Sequence, residues 1–307
     1  SIKIKTPNLP PWSDADILEI VNRIERRLAV QGLVAWDDEV RNMGIERAKL
    51  AVNELGPDLF PLIHQAEVRL TGTRYLPAIK ARYRFREANR YEVLGVVDVI
   101  THIQLHDKRF KNNRIVKNIL ASLPAGIPDD FEVIIDYKGM RRPPNVVPTP
   151  GHSLWDQYKW QIQTYAHLRQ KQIGSLPVVA GALIYINELL PSKGDMGYLK
   201  KEIKKASTDV IPAPGTDDLK HIQNWRKDED VPDLSWEFRL QRAMRVVPIT
   251  EASIDEALTR FDEVVKQIET CHGKELYEGL LMSSWDANAS EPDTCTACDA
   301  RSFCRDY

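Results

Sequence analysis

The stretch Phe131-Glu132-Val133-Ile134-Ile135-Asp136-Tyr137-Lys138-Gly139 constrains the chain more than any other. Val133, Ile134 and Ile135 follow one another without alternation, so a strand here presents apolar side chains to both of its faces. Such a strand lies inside a sheet that is covered on both sides. It also ends in three residues that carry charge or a hydroxyl, Asp136, Tyr137 and Lys138. The run at 177–187, PVVAGALIYIN, is a second buried strand of the same kind.

Three further segments read as strands: AEVRL at 66–70, ARYRFR at 81–86 and YEVLGVVDVITHIQL at 91–105. WEFRLQRAMRVVP at 236–248 is expected to be another. Helical spacing of apolar residues predicts helices over 13–30, with Ser13 or Asp14 as N-cap, and over 37–55, where Gly56-Pro57 stops the second one. Helices are also expected near 114–122, over 153–170 and over 250–279, with an irregular insert at 189–235. Strands interleaved with helices predict an α/β fold, a mixed central sheet flanked by helices, with a C-terminal cysteine-cluster subdomain. The expected organisation is an N-terminal helical segment at 1–40, a core at 41–248 and a C-terminal helix and tail at 249–307.

The chain has 307 residues, 43% hydrophobic and 28% charged, which suffices for a large buried core. Its longest apolar run, 177–186, is about half of what a membrane-spanning helix needs, and the opening SIKIKTPNLP has no apolar stretch of the secretory-signal kind. No membrane partner is expected. A net charge of −2 means that any surface for a polyanion must be local.

Asp98 lies within a β-branched strand and Asp136 follows an apolar run, and a carboxylate in either setting is costly unless paired or metal-bound. Two carboxylates on neighbouring strands could share one Mg²⁺ or Mn²⁺, hard ions that take oxygen ligands. Alternation places Asp136 and Lys138 on one face of their strand, where the ammonium can orient an attacking water or offset charge on a pentavalent phosphorus. Taken alone, Asp-x-Lys is equally the pattern of an ion pair at a strand end.

The neighbours add weight. Gly95-Val96-Val97-Asp98 precedes the triplet, and Gln161-Ile162-Gln163-Thr164-Tyr165 follows it on a helix. The order GxxD, DxK, QxxxY resembles the RecB-like branch of the PD-(D/E)XK nuclease superfamily. The resemblance implies a nuclease in which Asp98 and Asp136 bind the catalytic metal, with the Tyr137 carbonyl as a further ligand, and Lys138 is catalytic. It further implies that Gln161 and Tyr165 touch the phosphate backbone or brace the site. The family also takes an acidic or histidine ligand from an early helix. Glu46 is the best match in this sequence, although its offset from Gly44 is unusual, and Glu67 is a rival. The spacing from Asp98 to Asp136 exceeds the family's usual hairpin because of an insert at 106–129, which leaves the pairing of the two strands open.

All four cysteines lie after position 270. Cys295, Cys298 and Cys304 form C-x-x-C-x(5)-C, and Cys271 lies 24 residues before the first of them. Thiolates at this density point to a metal centre and to a reducing, cytoplasm-like compartment. The spacing by itself admits zinc or an iron–sulfur cluster. The motif is similar to the C-terminal one of AddB-type and CRISPR-associated RecB-like exonucleases, which implies a 4Fe-4S cluster. In that family the fourth cysteine lies far upstream; here either Cys271 takes that position, or it is a buried helix thiol and the cluster is incomplete or absent.

Arg82, Arg84 and Arg86 alternate with Ala81, Tyr83 and Phe85, a cationic strand face suited to DNA phosphates; Lys108-Arg109-Phe110-Lys111 is a second basic run. The expectation that follows is a metal-dependent DNA nuclease, an exonuclease of DNA processing, repair or defence, whose partners are DNA that is single-stranded or has free ends and a helicase or other nucleic-acid-processing protein. The alternative is a catalytically silent nuclease-fold scaffold, or a DNA-binding partner of a helicase.

Overall fold

A computed structural model describes residues 11–79, 88–108, 110–145, 153–279, 284–285, 292–299 and 301–304. The strand expected at 81–86, with Arg82, Arg84 and Arg86, lies outside the described residues, as does Arg109 of the second basic run. The fold is α/β, with one mixed sheet flanked by helices. Its five strands are β1 (Ile63–Tyr75), β2 (Arg90–Gln104), β3 (Asp130–Lys138), β4 (Val178–Tyr185) and β5 (Met244–Pro248), in that spatial order. β2 and β3 are antiparallel, β3 and β4 parallel, β4 and β5 antiparallel.

Contacts divide the chain into two compact units, one of Ser1–Leu70 with Gly95–Glu251 and one of Thr71–Leu94 with Ala252–Tyr307. Residues 71–94 group with the C-terminal segment. Within that second unit, Asp262 of the long helix α9 (Glu251–Glu278) accepts hydrogen bonds from Arg74 at 2.6 Å and from Tyr91 at 2.6 Å. A charge-assisted pair ties sequence-distant segments together.

In the first unit, helix α1 (Asp14–Val30) starts at the expected place, closed by a capping box between Ser13 and Asp16. Of its apolar face Ile17 is buried, whereas Ile24 and Leu28 are exposed. Helix α2 (Asp38–Leu50) is N-capped by Asp37 and runs on through a π-helical turn, Ala51–Leu55, into a short helix α3 (Gly56–Leu59). Helix α4 (Arg114–Ala121) fills the insert between β2 and β3, with Asn113 as its cap. Its Ile115, Val116 and Ile119 join Leu55, Leu59 and Leu62 over one face of the sheet, against Val99, Ile103, Val133, Ile135, Ala180 and Ala182.

The other face receives α5 (Leu154–Gln170), capped by Ser153. Gly181 lets it settle: a Cβ there would stand 2.1 Å from Ile162 Cγ2. Beyond β4 come α6 (Lys193–Lys204) and α7 (Asp217–Asn224), the short helices expected in the insert. Met196, Leu199, Ile222, Trp225 and Phe238 give this region an apolar cluster of its own.

One expected strand is corrected. Residues 236–248 divide into helix α8 (Trp236–Ala243), N-capped by Ser235, and the short β5. Phe238, Arg242 and Ala243 are buried on α8, a helical stripe that competes successfully with the β-like alternation of WEFRL. A last short helix, α10 (Pro292–Ala297), stands where loop was expected. Among the described residues no helix is long and apolar enough to cross a membrane.

Candidate functional site

The site forms where β2 and β3 part. Their last paired residues are Val99 and Ile135, so the next positions along the two strands are Asp98 and Asp136. The long insert therefore does not prevent pairing; α4 absorbs it. Asp98 Oδ2 accepts a hydrogen bond from the Tyr137 backbone N–H at 2.8 Å, which ties the first carboxylate to the backbone of the second strand.

Asp136 is buried at 4% exposure, in the interior of a sheet whose neighbours are Ile134, Ile135 and Leu183. Burial pushes its carboxyl above the usual carboxylate range, opposed by the Lys138 ammonium and reinforced by the charge of Asp98. Lys138 Nζ lies 2.6 Å from Asp136 Oδ2. Apart from this ion pair, the buried Oδ2 has no hydrogen-bond partner among the described residues. The same ammonium donates to Gln161 Oε1 at 2.9 Å, and Gln161 Nε2 donates to the Tyr165 hydroxyl at 2.9 Å. Gln161 and Tyr165 thus act as a relay that fixes the lysine from the helix side.

Gly95 has a steric reason to be glycine. A Cβ at this position would stand 2.4 Å from Tyr165 Cε1, so the ring occupies the space a side chain would fill. The motif residues Gly95, Asp98, Asp136, Lys138, Gln161 and Tyr165 therefore form one contiguous cluster within the first unit. Burial holds the Tyr137 hydroxyl up at about 12, so it stays neutral and packs against the apolar core.

Glu46 was the expected third ligand. It sits on α2 with an exposed carboxylate that pairs with Lys49 Nζ at 2.8 Å. Among the described residues no three His, Cys, Asp or Glu side chains come together as a group able to hold a metal ion, so Glu46 does not join Asp98 and Asp136. Glu67 is exposed on β1, with φ of 53°.

Two hard carboxylates, one with a buried oxygen that faces the Lys138 ammonium at 2.6 Å, fit a divalent cation of the Mg²⁺ or Mn²⁺ kind. The donor set is incomplete by one acidic group relative to the expected shell. The cysteines are less assembled. The Cys298 N–H bonds to the Cys295 carbonyl at 3.2 Å, and the Cys304 N–H to Arg301 at 3.3 Å, which gives the motif its turns. The four thiols are not gathered into a metal-holding group.

No family model matches this sequence, and neither does any curated protein. The functional reading therefore rests on residues and geometry.

Tyr158 is a site residue that the motif does not include. Its ring lies 4.3 Å from Lys138 Nζ, and its hydroxyl donates to Met140 Sδ at 2.8 Å. Its position one helical turn before Gln161 was the available signal. Arg142 and Arg245 also went unread. Arg142 donates to Asp209 Oδ1 at 2.8 Å, and Arg245 lies 3.1 Å from Asp209 Oδ2 and 3.7 Å from the centre of the Trp155 ring.

Proposed function

We propose that the chain is a Mg²⁺- or Mn²⁺-dependent DNA nuclease that hydrolyses phosphodiester bonds at Asp98, Asp136 and Lys138, most simply as an exonuclease of DNA processing, repair or defence. The observation that carries the reading is the junction of β2 and β3, which sets both carboxylates beside a lysine held by Gln161. A bound divalent cation supplies Lewis acidity and an activated water. Asp98 and Asp136 would hold it through carboxylate oxygens, with the Tyr137 carbonyl as the backbone ligand. Lys138, fixed by Gln161 and by the Tyr158 ring, presents a positive charge to the scissile phosphate as negative charge builds on its oxygens. Tyr165 and Gly95 keep Gln161 in place.

The test is cleavage of end-labelled single- and double-stranded DNA with Mg²⁺ or Mn²⁺. Asp136→Ala and Lys138→Ala are each expected to lower the rate by at least about a hundredfold, the scale of losing one charge-stabilising group, while DNA binding persists. Wild-type protein that binds DNA but cuts no more than Asp136→Ala would overturn the reading.

That outcome would favour a second one, a silent nuclease-fold scaffold or DNA-binding partner of a helicase. Its specific support is the separation of Glu46 from the two aspartates. The 4Fe-4S cluster on Cys271, Cys295, Cys298 and Cys304, with zinc as the alternative, belongs to the same proposal.

A further inference from the structure

The site-facing side of α5 extends beyond Gln161 and Tyr165. Trp155, Tyr158, Gln161 and Tyr165 are spaced three, three and four residues apart, which is one stripe of a helix. Gln161 and Tyr165 serve Lys138. The two aromatic residues on the N-terminal half each meet a cation, Tyr158 with Lys138 Nζ at 4.3 Å from its ring and Trp155 with the Arg245 guanidinium at 3.7 Å. Trp155 and Tyr158 are each half-buried.

Charge behind Trp155 is unbalanced. Among the described residues, Arg141, Arg142, Arg242 and Arg245 are ion-paired with three acids, Glu188, Glu202 and Asp209. Glu188 holds Arg242 through two hydrogen bonds of 2.9 and 2.8 Å. Glu202 is taken by Arg141, with Arg242 3.6 Å away. Asp209 serves both Arg142 and Arg245. Among the described residues these four guanidiniums outnumber their acid partners by one, and Arg142 and Arg245 share Asp209 in a buried place where water screens charge poorly. The β3–β4 register connects this charge to the catalytic lysine: Lys138 pairs with Tyr185, whose hydroxyl interacts electrostatically with Arg245 and Arg142.

We propose that Trp155 and Tyr158 form a stacking track for the unpaired bases of single-stranded DNA, with the surplus charge of the Arg142–Arg245 pair attracting its backbone, so that the strand is led along α5 to Lys138. Aromatic faces backed by cations suit this occupant. Every base offers a π-face, so the contact tolerates any sequence, and the polyanion complements the surplus charge. A duplex cannot use the track, because its bases already stack on one another. The assignment of single strands as the substrate rests on the nuclease reading only for what happens at the end of the track.

Binding in EDTA separates the two claims, because no cleavage is needed. Fluorescein-labelled oligothymidylate and a blunt hairpin of equal length are titrated by anisotropy with wild type, Trp155→Leu and Trp155→Phe. The expected result is tighter binding of oligothymidylate by the wild type, a loss of about tenfold in Trp155→Leu with hairpin binding unchanged, and retention in Trp155→Phe. Equal wild-type affinity for both probes, or an unchanged oligothymidylate affinity in Trp155→Leu, would overturn the proposal. Should Trp155→Leu fail to fold, photocross-linking of an iodouracil oligonucleotide to wild type decides: adducts on Trp155 or Tyr158 support the track, and adducts confined elsewhere overturn it. A chain that shows this single-strand preference yet never cleaves keeps the track and loses the nuclease; a chain that cleaves without it does the reverse.

Discussion

Glu132 shares its face of β3 with Asp136, four residues along the strand, and Arg169 of α5 closes on it with hydrogen bonds of 2.7 and 2.6 Å. Both side chains are buried, so neither charge can fall back on water if the other is removed. Arg169→Met is expected to destabilise the fold by about 3–5 kcal/mol, whereas replacing both partners by apolar residues of similar volume costs far less. Urea unfolding of the two variants measures the difference. This pair also makes the contrast with Asp136 plain. Glu132 has a partner that satisfies both of its oxygens, while Asp136 keeps a buried oxygen without a hydrogen bond and a carboxyl pushed upward by burial. At residue scale the sequence distinguished the two poorly. Each reads as an acid inside an apolar strand, and only the position of Arg169 on the opposing helix separates a structural acid from a candidate ligand.

The packing of α5 on the sheet is decided by two glycines on strands that flank β3. Gly95 accommodates the Tyr165 ring and Gly181 accommodates Ile162. With a helix this close, Gln161 reaches Lys138 directly instead of through solvent. Gly181→Ala would set a methyl group 2.1 Å from Ile162 Cγ2, and the expected cost is about 1–3 kcal/mol as the helix is lifted. In an Ile162→Ala background, which lacks that Cγ2, the added cost is expected to fall below about 1 kcal/mol; thermal melts of the four proteins close the cycle. The existence of α1, α4, α5 and α9 was legible, because caps and 3.6-residue periodicity are local properties of the chain. The segment 236–248 departs from its expected strand for the same reason. Its short apolar stretch satisfies both periods, and burial of Phe238 and Ala243 together chose the helix for its first part.

At the scale of the whole chain, the C-terminal cysteines carry the remaining expectation. Anaerobically purified protein is expected to be brown and to contain iron in the proportion of a four-iron cluster, both lost in Cys298→Ser; zinc in the place of iron would select the alternative, and absence of both metals would remove the cluster. The amino-acid order by itself pointed to an α/β chain with buried strands at 131–139 and 177–187, with acid–lysine and glutamine–tyrosine motifs on consecutive elements. Those are statements about neighbours along the chain, where propensity and periodicity act. Only the tertiary structure decided that β2 and β3 pair across the insert, that Lys138 is shared between Asp136 and Gln161, and that Glu46 stays with Lys49 on the surface of α2. Each of these depends on which side chains meet from distant parts of the chain, and a sequence pattern carries no distance between residues that only the packed sheet and helix bring together.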